Sequence, residues 1–292
     1  MEPVIRVVVS GANGQLGREF ESLLIGQSQY EARFLDKNKL DILDQKALDE
    51  LFKSFQPDVF INCAAYTKVD LAEEEVELCR SINSDAVDRL ARLCAVHKTL
   101  LVHFSTDYVF NGQGTSPYRE NDATDPINAY GQSKLVGEQH ITKWKGPHCV
   151  IRSSWLYSST GHNFVKTMLK LGAAMDELRV VNDQVGSPTW TKDLANDVLQ
   201  IVRHFVQDRE AFPSGVYHYT QNGLCSWYDF ALAIFDAKGV SVQVEPVSSD
   251  EYVTRAERPK YSKLNTEKIT ETFGLQLRHW QDALTDCLKE IE

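Results

Sequence analysis

Of the 11 tyrosines in this 292-residue chain, only Tyr130 is followed four positions later by a lysine, Lys134. Positions i and i+4 share one face of a helix, so this spacing sets the ammonium near the phenol. A cation there favours the phenolate and draws the phenol pKa down from about 10 toward working pH. Such tuning suits a general acid. Earlier in the chain, Gly11-Ala12-Asn13-Gly14-Gln15-Leu16-Gly17 follows directly on an apolar run ending at Val9. Gly11 permits a tight turn there, Gly14 lets the backbone approach a pyrophosphate, and Gly17 allows close helix–strand packing. The helix start through Asn13, Gln15 and Leu16 then faces the phosphates. The two groups together predict an enzyme that binds a nicotinamide dinucleotide, NADPH or NADH, and moves a hydride with the help of a tyrosine acid.

Further candidates lie where strands end. Asp36 closes a second strand and is placed to accept from a ribose hydroxyl, which favours NADH. Lys37 beside it suits a 2′-phosphate instead, so both cofactors stay open. Asp41 and Ile42 are placed to flank the adenine, although Asp41 equally suits a helix cap. Asn62-Cys63-Ala64-Ala65 is a run of small side chains that allows close approach of a cofactor, with Tyr66 and Thr67 just outside. Plain tight packing explains that run equally well. Ser105-Thr106-Asp107-Tyr108 ends a fourth strand. There the Thr106 hydroxyl is placed to bind the carbonyl oxygen that Tyr130 protonates, with Ser105 in support. An ordinary strand-end turn would use the same residues. Trp155 suits a sugar ring or the core. Asn163, Gln184 and Arg258 suit a nucleotide and its diphosphate, and each also suits a structural place. The eight histidines show no metal-ligand spacing and no Ser-His-Asp arrangement, and receive no role.

These groups need a frame that gathers them. Short apolar runs alternate with amphipathic stretches through the first half: Val4 to Val9, a strand ending at Asp36, Asp58 to Asn62, Thr99 to Phe104 and Cys149 to Arg152. That rhythm predicts an α/β fold, a Rossmann-type doubly wound parallel sheet with ligand at the carboxyl ends of its strands. The second half predicts helices at 162–171, 191–205, 227–237 and 280–290, with short strands at 178–182, 216–219 and 242–247. We expect a dinucleotide-binding domain over 1–153, with returning segments near 179–206 and 242–262. A smaller, discontinuous C-terminal substrate-binding lobe is expected over 154–178, 207–241 and 263–292.

Composition narrows the setting. A formal charge of −10 argues against nucleic acid and anionic membrane surfaces as partners. Six scattered cysteines without a Cys-x-x-Cys pair read as reduced thiols, and no metal site is assigned to them. With no leader-like or membrane-length apolar stretch, a cytoplasmic protein is expected.

The motifs carry a resemblance. The turn Gly11 to Gly17, the run Asn62 to Asp70, Ser105 to Phe110 and Tyr130-Gly131-x-x-Lys134 resemble the extended short-chain dehydrogenase/reductases. The likeness continues through Arg152 to Tyr157, Gly161 to Phe164, Asn182 to Thr189 and Arg258 to Asn265, and so covers nearly the whole chain. It implies reduction of the 4-keto group of a dTDP-linked deoxyhexulose by NAD(P)H. It implies Thr106, Tyr130 and Lys134 as the catalytic triad, Trp155 against the sugar, and a homodimer in some members through Mg²⁺, whose ligands are not placed here. A dehydratase of the same superfamily carries Glu where this chain has Tyr108, and a phenol cannot replace a carboxylate at neutral pH. An epimerase would be built on the same frame. So would a non-catalytic regulatory subunit, such as the methionine adenosyltransferase β subunit, and both readings stay open.

Overall fold

The computed structural model describes residues 4–291. Strand β1 (Ile5–Ser10) leads through the glycine turn into helix α1 (Gln15–Leu24), then β2 (Tyr30–Leu35), α2 (Gln45–Phe55) and β3 (Val59–Asn62). Two short helices follow, α3 (Val69–Ala72) and α4 (Val76–Arg80). A π-helical turn, Ser81–Asp85, joins α4 to α5 (Ala86–His97). Then come β4 (Leu100–Thr106), α6 (Ala129–Trp144) and β5 (His148–Ser153).

These five strands and Gly215–His218 form one sheet, in the order Gly215–His218, β5, β4, β3, β1, β2. Every neighbouring pair is parallel. From β1 the chain steps to β2 on one side and later to β3 on the other. Such a reversal opens a crevice beyond the carboxyl ends of the strands. Both faces are covered, so the strands read as nearly continuous apolar runs. Val7, Val9, Ile61, Val102 and Ile151 pack with α1 and with the helix Thr191–Gln207. Val8, Phe60, Leu101 and Val150 pack with α2 and α5. The expected doubly wound α/β architecture is what folds.

A second core lies in the C-terminal half, built from the helices Phe164–Gly172, Trp227–Lys238 and Trp280–Lys289. The predicted helices differ from these by a residue or two at their ends. The strands expected at 178–182 and 242–247 do not return to the main sheet. Glu177–Val181 and Gln243–Val247 pair with each other in a separate parallel ribbon. It is the strand expected at 216–219, inside a segment expected in the smaller lobe, that joins the main sheet beside β5. Strand partners depend on contacts distant in sequence, which a local apolar pattern does not encode. A helix over Glu267–Phe273 has no counterpart among the expected elements.

Candidate active site

The glycine turn is shaped as its spacing predicts. Gly11 has φ +65°, and a Cβ there would stand 2.6 Å from the Ala64 nitrogen. A Cβ on Gly17 would stand 2.5 Å from the Gly11 oxygen. Only glycine fits either place, and the turn therefore lies against the end of β3. The N–H groups of the first turn of α1 have no intrahelical acceptor, the condition in which a helix start attracts phosphate.

In front of the turn is a cavity of about 340 Å³, lined by Gly11, Asn13 and Gly14 on one side and Cys63, Ala64 and Ala65 on the other. Asp36, Asp41 and Ile42 complete it. The Asp36 carboxylate accepts from the backbone N–H groups of Asn38 and Lys39 (2.9 and 3.0 Å) and from Asn13 Nδ2 (2.7 Å). It is thus held rigidly at the rim. Asp41 accepts from Leu43 N–H, while Asp44 caps α2. Of the other residues expected at the cofactor, Leu16 is buried in the sheet core. Thr67 is exposed and does not line the cavity. An apolar side chain at the second helical position turns inward, and the chain has left the strand end before it reaches Thr67.

The second group assembles where β4 meets α6. Asn128 caps α6 by accepting from Gly131 N–H at 2.8 Å, which sets Tyr130 in the first turn. The Thr106 hydroxyl accepts from Tyr108 N–H and donates to Asp107. The rings of Tyr108 and Tyr130 meet edge to face at 5.8 Å. Burial raises the Asp107 carboxyl to about 6, against the opposing pull of the Ser262 and Thr106 hydroxyls.

Electrostatics correct one expectation. The Tyr130 phenol is pushed up, not down, chiefly by burial and further by Asp107, with Thr106 opposing. Lys134 contributes nothing resolved to that balance, and its amine lies 3.3 Å from His103 Nε2. Burial lowers Lys134 itself to about 8, against the pull of Glu138 and Cys79. Desolvation of a phenol outweighs a cation that is itself partly discharged. The raised phenol keeps its proton at neutral pH, the state from which an acid donates.

Ser105, expected to support Thr106, instead donates its hydroxyl hydrogen to Glu138. Glu138 also pairs with Arg152, with a shortest contact of 2.7 Å. A buried carboxylate with a guanidinium on one side recruits the nearest hydroxyl on the other.

A second cavity, of about 320 Å³, adjoins the smaller core. Gln184, Trp227, Asp70 and Arg258 line it. Asp70 holds Arg258 at 2.7 Å, and Gln184 donates to Ser249 at 3.0 Å. Two expected substrate contacts are differently employed. Trp155, at φ +51°, stacks on Trp227 with centroids 3.6 Å apart, so a stacking face expected for sugar is already covered. Asn163 donates its amide hydrogens to Gln15 and Ser158 and accepts from Lys166 N–H, as the cap of its own helix. Both rest on partners distant in sequence, Gln15 and Trp227, which a local pattern does not reveal.

Sequence reasoning missed Asn83. The π-turn aims its side chain at Tyr66, where it accepts from N–H and donates to the carbonyl, and it also donates to Ser133 beside Lys134. It missed His103 as well, whose one visible signal is a titratable residue directly after the apolar run Leu100–Val102. Among the described residues, no group of three or more His, Cys, Asp or Glu is arranged to hold a metal ion. No helix among them is long and apolar enough to cross a membrane.

Relatives match this chain over its length. A spore coat polysaccharide biosynthesis protein, SpsK, of Bacillus subtilis (strain 168) is 43% identical across 98% of this chain and 97% of its own. A dTDP-4-dehydrorhamnose reductase of Aggregatibacter actinomycetemcomitans is 40% identical across 96% of this chain and 97% of its own. The crystal structure of dTDP-4-dehydrorhamnose reductase from Bacillus anthracis str. Ames in complex with NADP superposes with a TM-score of 0.92. That structure is 37% identical and covers 98% of this chain and 99% of the other. The family model described as RmlD substrate binding domain matches residues 5–292, and the chain belongs to that family.

Proposed function

We propose that this chain reduces the 4-keto group of dTDP-4-dehydrorhamnose to give dTDP-L-rhamnose, using a reduced nicotinamide dinucleotide. The observation that supports this most directly is the convergence of two groups on one crevice. The glycine cradle at Gly11 to Gly17 and the β4–α6 junction bearing Thr106 and Tyr130 both open at the carboxyl ends of the sheet's strands. The protein's residues fit a dinucleotide: a Cβ-free turn, the start of α1 behind it and an Asp36 carboxylate held by three donors. When bound, the dinucleotide supplies a hydride for the carbonyl carbon.

The chain's own residues have distinct tasks in this reading. Tyr130 gives its phenolic proton to the oxygen that gains charge as the carbonyl is reduced. Thr106 turns its hydroxyl hydrogen from Asp107 to the same oxygen and steadies the charge. Lys134 binds the nicotinamide ribose. Arg258, tethered by Asp70, meets the substrate diphosphate, and Gln184 lies beside it. The carboxylate of Asp36 matches the two hydroxyls of an unphosphorylated ribose, which favours NADH over NADPH.

Purified protein mixed with the enzymatically generated keto sugar and either reduced cofactor is expected to consume cofactor and yield dTDP-L-rhamnose. Absence of cofactor oxidation with both would reject the activity. An Arg258→Gln variant should raise KM for the sugar by about tenfold, the usual worth of one charge-assisted contact, and leave cofactor binding unchanged.

A further inference from the structure

A row of buried polar side chains crosses the sheet beneath the crevice. Ser10, Asn62 and His103 hold adjacent register positions on β1, β3 and β4, and none is more than 1% exposed. The Ser10 hydroxyl donates to Asn62 Oδ1 at 2.7 Å, and the Ala64 N–H donates to the same oxygen at 3.3 Å. A backbone N–H can only donate, so it fixes which end of the Asn62 amide is oxygen. The other end, Nδ2, therefore donates to His103 Nδ1, 3.1 Å away. Burial and the neighbouring Lys134 keep the imidazole uncharged. An uncharged imidazole whose Nδ1 accepts carries its hydrogen on Nε2. That N–H faces the nitrogen of Lys134 across 3.3 Å, and Lys134 is only 2% exposed.

An amine has a lone pair for such a hydrogen, and an ammonium has none. We propose that His103 is a positioning residue for the reductase, holding Lys134 in place through its Nε2–H and favouring the uncharged amine. The proposal rests on the catalytic reading above. Glu138, one turn along α6, and the Cys79 thiol of α4 also face Lys134, and both favour its ammonium. Tyr130 lies on the same helix, and the Cys79 thiol bears on it too. Burial already brings Lys134 down to about 8 against Glu138 and Cys79, and the Nε2–H of His103 adds to burial in this proposal. The uncharged amine is the species that His103 is oriented to hold.

The test measures kcat and KM for the keto sugar from neutral to alkaline pH in the parent, His103→Phe and His103→Gln. The Phe variant has no donor, whereas the Gln amide can present an N–H near the former Nε2. In His103→Phe, kcat should fall about tenfold with KM for the sugar nearly unchanged, and the alkaline midpoint of the profile should rise by about one unit. His103→Gln should recover most of both. Parent-like rate and profile in His103→Phe would overturn the proposal, as would equal losses in both variants without a shifted midpoint. An inactive parent would defeat the proposed activity instead. Nitrogen NMR of the parent then decides on its own, as it also does where a variant does not fold. A non-titrating histidine protonated at Nε2 is expected, distinct from His218, whose Nε2 faces Arg152 and whose Nδ1 faces the Tyr118 carbonyl. Finding none overturns the proposal.

Discussion

Gly131 packs so tightly against the turn bearing Tyr108 that a methyl group on its Cα would overlap the Tyr108 carbonyl oxygen. The glycine after Tyr130 is therefore a spacing element that lets α6 seat its first turn beside Thr106. Gly131→Ala should cost about 1–3 kcal/mol through overpacking, read as a lowered melting temperature. Its turnover should fall further than the remaining folded fraction explains, because Tyr130 moves with the helix start.

Removing the Tyr130 hydroxyl tests the proposed acid directly. Tyr130→Phe should lower kcat by about 10²–10⁴ while binding dinucleotide as the parent does. Titration of cofactor fluorescence beside steady-state rates separates the two quantities. Near-parental turnover in the Phe variant would remove Tyr130 from the mechanism.

Cofactor choice should follow Asp36. Its three donors hold the carboxylate at the rim of the cavity, where a 2′-phosphate meets like charge. The parent should use NADH with the higher kcat/KM, and Asp36→Ala should move the NADPH/NADH ratio about tenfold toward NADPH. A parent that prefers NADPH would show that Lys37 governs the rim instead.

Asp107 gives a pH signature in stability. Its carboxyl is raised from the ordinary 3.8 to about 6, so between those values the folded state binds more proton than the unfolded. The associated stability is complete below about 3.8 and is lost as pH rises through about 6. The loss is on the order of 3 kcal/mol. Asp107→Asn should abolish that decline and melt higher than the parent at neutral pH. Melting curves across the acid range for both proteins provide the check, and parallel pH dependences would reject it.

The first half of the fold was legible because each element announces itself locally. The apolar run of β1, the glycines of the turn and the stop at Pro57 before β3 all act within a few residues of where they stand. The candidate site is legible in the same places: Gly11, Asp36, Ala64, Thr106 and Tyr130 sit at strand ends or helix starts. What sequence did not reveal were relations across the sheet or between lobes. Asn163 reads as a free polar residue until Gln15, 148 positions away, is seen to accept from it. Trp155 reads equally as a sugar contact or a core residue, and only the structure brings Trp227 against one face of its ring. The direction of the Tyr130 shift was misjudged because spacing supplies the nearby lysine but not the depth at which both are buried.

The bond from Asn163 to Gln15 joins the cap of a helix in the smaller core to the opening residue of α1. Two residues of α1 are engaged this way, since the Ser158 hydroxyl, beside the smaller core, donates to Glu19. Helix α1 is thus riveted to the part of the molecule that frames the second cavity. Prising the two halves apart would strip partners from Gln15 and Glu19 at once, so any separation of the halves must be felt first by α1.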